Sequence, residues 1–212
     1  MLLSAEIRQF WPRECPDAIV TWFRSGPMPP GGGNAREDEY LHEPGQTELG
    51  LKRRGGKRGV EAKGLVAILP PAGDAQPFMD PIEIWCKWES PTLTLDGLPI
   101  VRVRKLRWLR KFDTSGEDAV EIPLAEDETP ADHRLPPRLG CNVELTKVEL
   151  RARQVWWTLG FEAFGDLSSV EHSLRGTLST TGLAQVLAAC PGEPLSYPAW
   201  LSKHVLQQDL PS

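Results

Sequence analysis

Two short runs of the sequence carry half of its positive charge. Lys52, Arg53, Arg54, Lys57, Arg58 and Lys63 fall within twelve residues, opposed only by Glu61. Arg102, Arg104, Lys105, Arg107, Arg110 and Lys111 fall within ten, with no acid among them. Together they are 12 of the chain's 24 Lys and Arg. From 113 to 132 the sign reverses, with Asp113, Glu117, Asp118, Glu121, Glu126, Asp127, Glu128 and Asp132 against no Lys or Arg. Cations at this density suit the binding of phosphate oxygens through charge-assisted hydrogen bonds. The net charge of −5 bears little on this, because a ligand responds to the local field. Two arrangements compete. Either the basic runs are solvated strand faces neutralised by the acidic segment, or they converge on one polyanion-binding surface.

Side-chain alternation along a strand bears on the choice. In 48–54, Lys52 and Arg54 share a face with Glu48 and Gly50, while Leu49, Leu51 and Arg53 share the other. In 101–112, Lys105 and Arg107 share one face, and Arg104, Leu106 and Trp108 the other. Cations on both faces of one strand require polar surroundings on each side, since an unpaired buried charge is costly. A barrel with a wet, charged interior meets that requirement; a flat sheet on an apolar core does not.

The elements that must position these residues read as strands at about 5–11, 38–42, 47–54, 59–69, 82–89, 99–112, 141–151 and 154–164, separated by stretches rich in Gly, Pro and Asp. A helix is expected over Asp17–Arg24, with Asp17 as its cap. The segment 26–37, opening Gly-Pro-Met-Pro-Pro-Gly-Gly-Gly, reads as a flexible loop, and 113–137 as a long acidic excursion, partly disordered. Val170, Leu174 and Leu178 recur at helical spacing after Ser168 or Ser169, and Gly182 breaks the pattern before Leu183, Val186 and Leu187. A last helix is expected from Pro198 to about Gln207. The whole chain, 1–212, reads as one α+β domain: an antiparallel barrel with a few peripheral helices, mostly near the C-terminus.

Other chemistries find little support. There is no Gly-x-x-x-x-Gly-Lys-Ser/Thr loop, Gly-x-Ser-x-Gly elbow or His-Glu-x-x-His. His42, His133, His172 and His204 are isolated and read as surface or capping residues. Cys15, Cys86, Cys141 and Cys190 form no Cys-x-x-Cys pair and read as reduced thiols, with Cys86 a buried structural one. The longest apolar run, 64–69, is six residues, against about 20 for a membrane span. The start, Met-Leu-Leu-Ser-Ala-Glu-Ile-Arg, lacks a basic leader region, so a cytoplasmic, non-membrane protein is expected. A protein-interaction module built on the eight Trp is an alternative, although Trp85, Trp88, Trp108, Trp156 and Trp157 fall in strands and suit core or barrel wall. Nucleic acid is not an expected partner, because no recognition signature is present.

The order of the remaining features resembles a family. An acid in the first strand, Asp38-Glu-Tyr-Leu, Leu51-Lys-Arg-Arg54, Glu61-Ala-Lys63, Lys105-Leu-Arg107, Val143-Glu-Leu145, Leu159-Gly-Phe-Glu162 and Ser196-Tyr-Pro-Ala-Trp-Leu201 follow one another as in the CYTH, or triphosphate tunnel, superfamily. The resemblance spans about 5–201 through short motifs. It implies an eight-stranded antiparallel tunnel that binds a triphosphate or other polyphosphorylated small molecule. It implies that Lys52, Arg54, Lys63, Lys105 and Arg107 clamp phosphate, and that Glu6, Glu144 and Glu162 hold Mg²⁺ or Mn²⁺ for phosphohydrolase chemistry. The family opens with Glu-x-Glu-x-Lys, where this chain has Glu6, Arg8 and Phe10. Arg8 in place of a carboxylate joins the phosphate-binding set and repels a divalent ion by a few kcal/mol. Either another acid (Glu48, Glu61 or Glu149) completes the metal site, or the chain binds a phosphorylated ligand without metal-dependent turnover.

Overall fold

The computed structural model describes residues 2–27, 32–55, 57–71, 81–150 and 154–205. In chain order these form β1 (Leu2–Pro12), α1 (Asp17–Arg24), β2 (Asn34–Leu41), β3 (Leu49–Arg54), β4 (Val60–Leu69), β5 (Ile82–Ser90), β6 (Ile100–Asp113) and β7 (Val120–Ile122). There follow β8 (Gly140–Glu149), β9 (Val155–Gly165), α2 (Val170–Thr181), α3 (Leu183–Ala189), β10 (Glu193–Pro194) and α4 (Tyr197–His204). The eight long strands pair antiparallel in the order β1-β5-β4-β3-β2-β6-β8-β9, and β9 returns to β1 from Leu3↔Gly165 to Pro12↔Trp156. The sheet therefore closes into an eight-stranded barrel, the α+β architecture expected from the sequence, with β7 added to β6 and β10 to β1.

The apolar residues divide into two main groups. Ala5, Ile7, Ile84, Val143, Phe161 and Ala163 face outward from adjoining strands and bury against Ile19, Phe23, Val170, Leu174, Leu178, Leu183 and Leu187 of α1, α2 and α3. This core lies outside the barrel. The second group, Phe10, Tyr40, Val101, Val103 and Val148, meets Trp200, Leu201 and Val205 of the α4 region and closes one end of the lumen. Phe10 stacks on Trp200 with ring centroids 5.1 Å apart and planes 4° off parallel. The lumen is therefore greasy at one end and charged along its middle. Between α2 and α3, Gly182 adopts φ 60°, a left-handed conformation that glycine takes without a Cβ clash.

Several expectations are corrected. β2 begins at Asn34, inside the segment read as a loop over 26–37, because β6 offers it a partner from Asn34↔Arg107 onward; tertiary pairing overrides weak local propensity. Residues 28–31 of that segment lie outside the described residues. The acidic excursion is folded: β7 pairs with β6, Leu124 bridges Pro130, and Ile122 and Leu124 bury against Leu109. Asp17 is the first residue of α1, and Pro16 holds the cap position. Helix α4 starts one residue earlier than expected, capped by Ser196, whose Oγ accepts from the Ala199 amide at 3.4 Å. Its expected end near Gln207 lies outside the described residues. Cys86 is only half-buried, and Cys141 is the fully buried thiol. His42 is buried rather than superficial. No helix among the described residues is long and apolar enough to cross a membrane.

Candidate functional site

The charged lumen follows from strand alternation. Residues 6 and 8 of β1, 36, 38 and 40 of β2, 52 and 54 of β3, 61 and 63 of β4, 105 and 107 of β6, and 144 of β8 share parity within their strands, and a closed sheet gives one parity the inside. All of them except Asp38 line a cavity of about 420 Å³, within the range of small-molecule sites. Its lining includes Arg8, Arg36, Lys52, Arg54, Lys63, Lys87, Lys105 and Arg107 together with Glu6, Glu61, Glu89, Glu144 and Glu162. All nine residues singled out from the sequence, Glu6, Arg8, Lys52, Arg54, Lys63, Lys105, Arg107, Glu144 and Glu162, thus lie on the same cavity.

The charges form four ion-paired groups. In the first, Glu6, only 4% exposed, accepts from Lys63 Nζ at 2.5 Å and Ser4 Oγ at 2.6 Å and pairs with Lys87 at 3.0 Å; Lys87 also donates to Glu162 at 2.5 Å. In the second, Glu144 accepts from Arg107 at 2.8 Å and from Arg8 at 3.3 Å, and Arg8 also reaches Thr158 Oγ1. In the third, Asp38 pairs with Arg36 at 3.3 Å and Lys105 at 3.4 Å, and in the fourth, Glu61 pairs with Lys52 at 2.9 Å and Arg54 at 3.1 Å. Lys105 donates to Tyr40 Oη at 2.5 Å and lies 3.8 Å from the centre of the Tyr197 ring.

Burial alone would raise the carboxylate pKa values here, but the cations reverse the sign. Lys63 and Lys87 hold Glu6, and Arg107 and Arg8 hold Glu144, well below the usual carboxylate range. Lys105 and Arg36 lower Asp38, and Lys52 lowers Glu61. Burial pushes Lys105 down despite Asp38, and pushes Tyr197 up to about 12. A carboxyl depressed in the folded state stabilises it fully above its unfolded pKa, near 4, and loses that contribution as pH falls through the folded value. Glu83, raised by burial, acts in the opposite direction, but it is one group against four. Urea unfolding is therefore expected at a lower midpoint at pH 3 than at pH 7, and an equal midpoint contradicts this assignment.

The donor set does not fit a resident divalent metal. Glu6 and Glu162 are direct cross-strand neighbours, but the Lys87 ammonium occupies the position between them, and both arginines of the second group are on Glu144. A Mg²⁺ or Mn²⁺ ion needs oxygen ligands that are not already held by cations. Among the described residues, no group of three or more His, Cys, Asp or Glu is placed to hold a metal ion. Of the acids named as replacements, Glu61 is committed to Lys52 and Arg54, and Glu149 pairs with Lys147.

Gly160 makes room for Arg8. A Cβ at this position would lie 2.4 Å from the Arg8 guanidinium carbon, and that group is held by Glu144 and Thr158. Gly160→Ala is expected to push Arg8 off Glu144 and lower the unfolding free energy by about 1–3 kcal/mol; an unchanged urea midpoint contradicts the contact.

Among the lumen residues to which the sequence assigns no role, four stand close to the charged groups: Arg36, Lys87, Tyr40 and Tyr197. Arg36 fell in the segment read as a loop. Lys87 fell in Glu-Ile-Trp-Cys-Lys-Trp, read for its cysteine; its parity with Glu83 and Glu89 was the available signal. Tyr40 and Tyr197 stood inside quoted motifs without a role. No protein-family model matches the chain, and no curated protein matches it.

Proposed function

We propose that the chain binds a polyphosphorylated small molecule in the lumen of its barrel, without a resident metal, as a divergent relative of the CYTH superfamily. The observation that carries this reading is the placement of eight Lys and Arg side chains, from six strands, on one cavity. Cations distributed around a perimeter suit an extended anion that offers oxygens in several directions, and Arg and Lys both pair well with phosphate. The cavity lining holds eight cations and five carboxylates, and Asp38 and Glu128 also pair with lining cations, so the positive excess is small and an anion would bind by taking the place of a carboxylate partner. Tyr40 and Tyr197 close the inner end of this space with polar hydroxyls on apolar rings.

Thermal denaturation with tripolyphosphate and a chelator tests it. Binding to the folded state at about 100 times Kd adds about 2.7 kcal/mol and raises Tm by several degrees; no shift at millimolar tripolyphosphate rejects the reading. Metal-assisted hydrolysis is the competing reading: Glu6, Glu144 and Glu162 stand on the adjacent strands β1, β8 and β9, but each would have to give up its cation partners to hold a metal. Phosphate release from nucleoside triphosphates or tripolyphosphate with Mg²⁺ or Mn²⁺ would support it, and none across that panel removes it.

A further inference from the structure

One carboxylate that pairs with a lumen cation does not belong to the barrel wall. The cations lining the cavity pair with Glu6, Asp38, Glu61, Glu144 and Glu162, which stand on β1, β2, β4, β8 and β9. Among the described residues, the exception is Glu128, which accepts from Arg107 Nη2. Glu128 sits at the tip of a small hairpin that follows β7. The hairpin is closed by the Leu124↔Pro130 bridge, by Ala125 N donating to Thr129 O at 2.8 Å, and by Ala131 N donating to Pro123 O at 2.9 Å. Its base is anchored, since Leu124 buries with Ile122 and Leu109. Its tip has no such anchor: Glu126 and Asp127 are exposed, and Glu128 is held at φ 67°, a region that non-glycine residues adopt only under constraint.

Arg107 is the residue on which this tip acts. Its Nη1 is taken by the wall carboxylate Glu144 and its Nη2 by Glu128, while its Nε is buried without a hydrogen-bond partner among the described residues. A guanidinium shared by a fixed carboxylate and one on a loop tip gives up the loop contact first. A phosphoryl oxygen entering along the lumen would seek the same terminal nitrogen, because a guanidinium presents its N–H groups in one plane to carboxylate and phosphate alike.

We infer that Glu128 is a displaceable internal competitor for Arg107, which a terminal phosphoryl group of the ligand must replace, so that the hairpin tip sets a charge threshold for reaching Arg107 and opens when that threshold is met. The inference rests on the proposed binding of a polyphosphate in this lumen. A ligand with several charges gains enough elsewhere in the cavity to displace the tip, whereas orthophosphate, bound by the wall cations alone, leaves it in place. Glu128 thus decides which phosphate chains open the tip, at a cost in affinity to the long chains that must displace it.

Calorimetric titration of the full chain and of Glu128→Gln with tripolyphosphate and with orthophosphate, in the presence of chelator, tests this. Gln keeps the size and removes the competing charge. Tripolyphosphate is expected to bind Glu128→Gln about tenfold more tightly, the scale of one charge-assisted hydrogen bond, with orthophosphate changed by less than about twofold. Backbone amide exchange at 125–129 is expected to speed up in the wild type when tripolyphosphate is added. Equal tripolyphosphate affinity in both chains, or unchanged exchange on binding, overturns the inference and leaves the binding function standing. No binding to either chain overturns the function and the inference together.

Discussion

Replacing Glu6 by glutamine is expected to lower the unfolding free energy by about 3–5 kcal/mol, the range seen when one partner of a buried ion pair is removed. Glu6 is the negative centre of a group that holds two ammonium ions and one hydroxyl within 3.0 Å. Its side chain lies on the inward face of β1, between the strands that carry Lys63 and Lys87 on one side and Glu162 on the other. Without it, Lys87 keeps Glu162 but Lys63 loses its carboxylate partner, and two like charges face each other. Part of this strain is relieved by water in the cavity, because the lysine side chains are 22% and 27% exposed, so a loss near 3 kcal/mol is the better expectation. Glu162→Gln serves as the internal comparison: its carboxylate is 25% exposed and, among the described residues, forms its ion pair with Lys87 alone, and its loss is expected to be the smaller. Urea unfolding of the two variants at pH 7 reads the difference. Losses below about 1 kcal/mol for Glu6→Gln would show that the group is solvated rather than load sharing.

Phe10→Ala is expected to have an effect of the same size for a different reason. Phe10 has no exposed surface, stacks on Trp200, and meets Tyr197 edge-on at 5.5 Å. Truncating a buried phenylalanine removes its transfer free energy and leaves a cavity, at a cost of about 3–5 kcal/mol. The void would open toward the charged middle of the lumen, since Arg8 is the next inward residue on the same strand. The variant is therefore expected to lose stability and also to bring Trp200 into contact with water, read as a red shift of tryptophan emission in the folded protein. A folded variant with full stability and unchanged emission would mean that α4 does not seal this end.

How far these features were legible in the sequence depends on whether the signal was local. Strand alternation is local, so the inward set of β3 (Lys52 and Arg54) and of β6 (Lys105 and Arg107) could be read directly, and all four line the cavity. The requirement that β6 be polar on both faces also pointed to a wet barrel. On its outer face Arg102 pairs with Glu39 and Arg104 with Glu37 of β2, which shows how cations of opposite parity are accommodated. Non-local pairing was not legible. Arg36 looked like loop because its strand exists only through registry with β6. Lys87 carried no motif, yet it sits between two glutamates that come side by side through the pairing of β1 with β9, and it reaches them through the pairing of β1 with β5. The acidic segment was read by its composition, which hides the two apolar residues, Ile122 and Leu124, that fold it against Leu109.

The most direct test of the central claim compares the inner and outer cations of the barrel. Tripolyphosphate affinity is measured by calorimetry, with chelator present, for Lys52→Ala/Arg54→Ala, which removes two cavity cations, and for Arg102→Ala/Arg104→Ala, which removes two from the outer face of β6. Each charge-assisted hydrogen bond lost contributes about 1.5–3 kcal/mol. The inner pair is therefore expected to cost about a hundredfold or more in Kd, and the outer pair less than about threefold, reflecting only screened long-range charge. An outer pair that weakens binding as much as the inner one, or an inner pair that leaves it unchanged, would contradict a phosphate site inside the barrel.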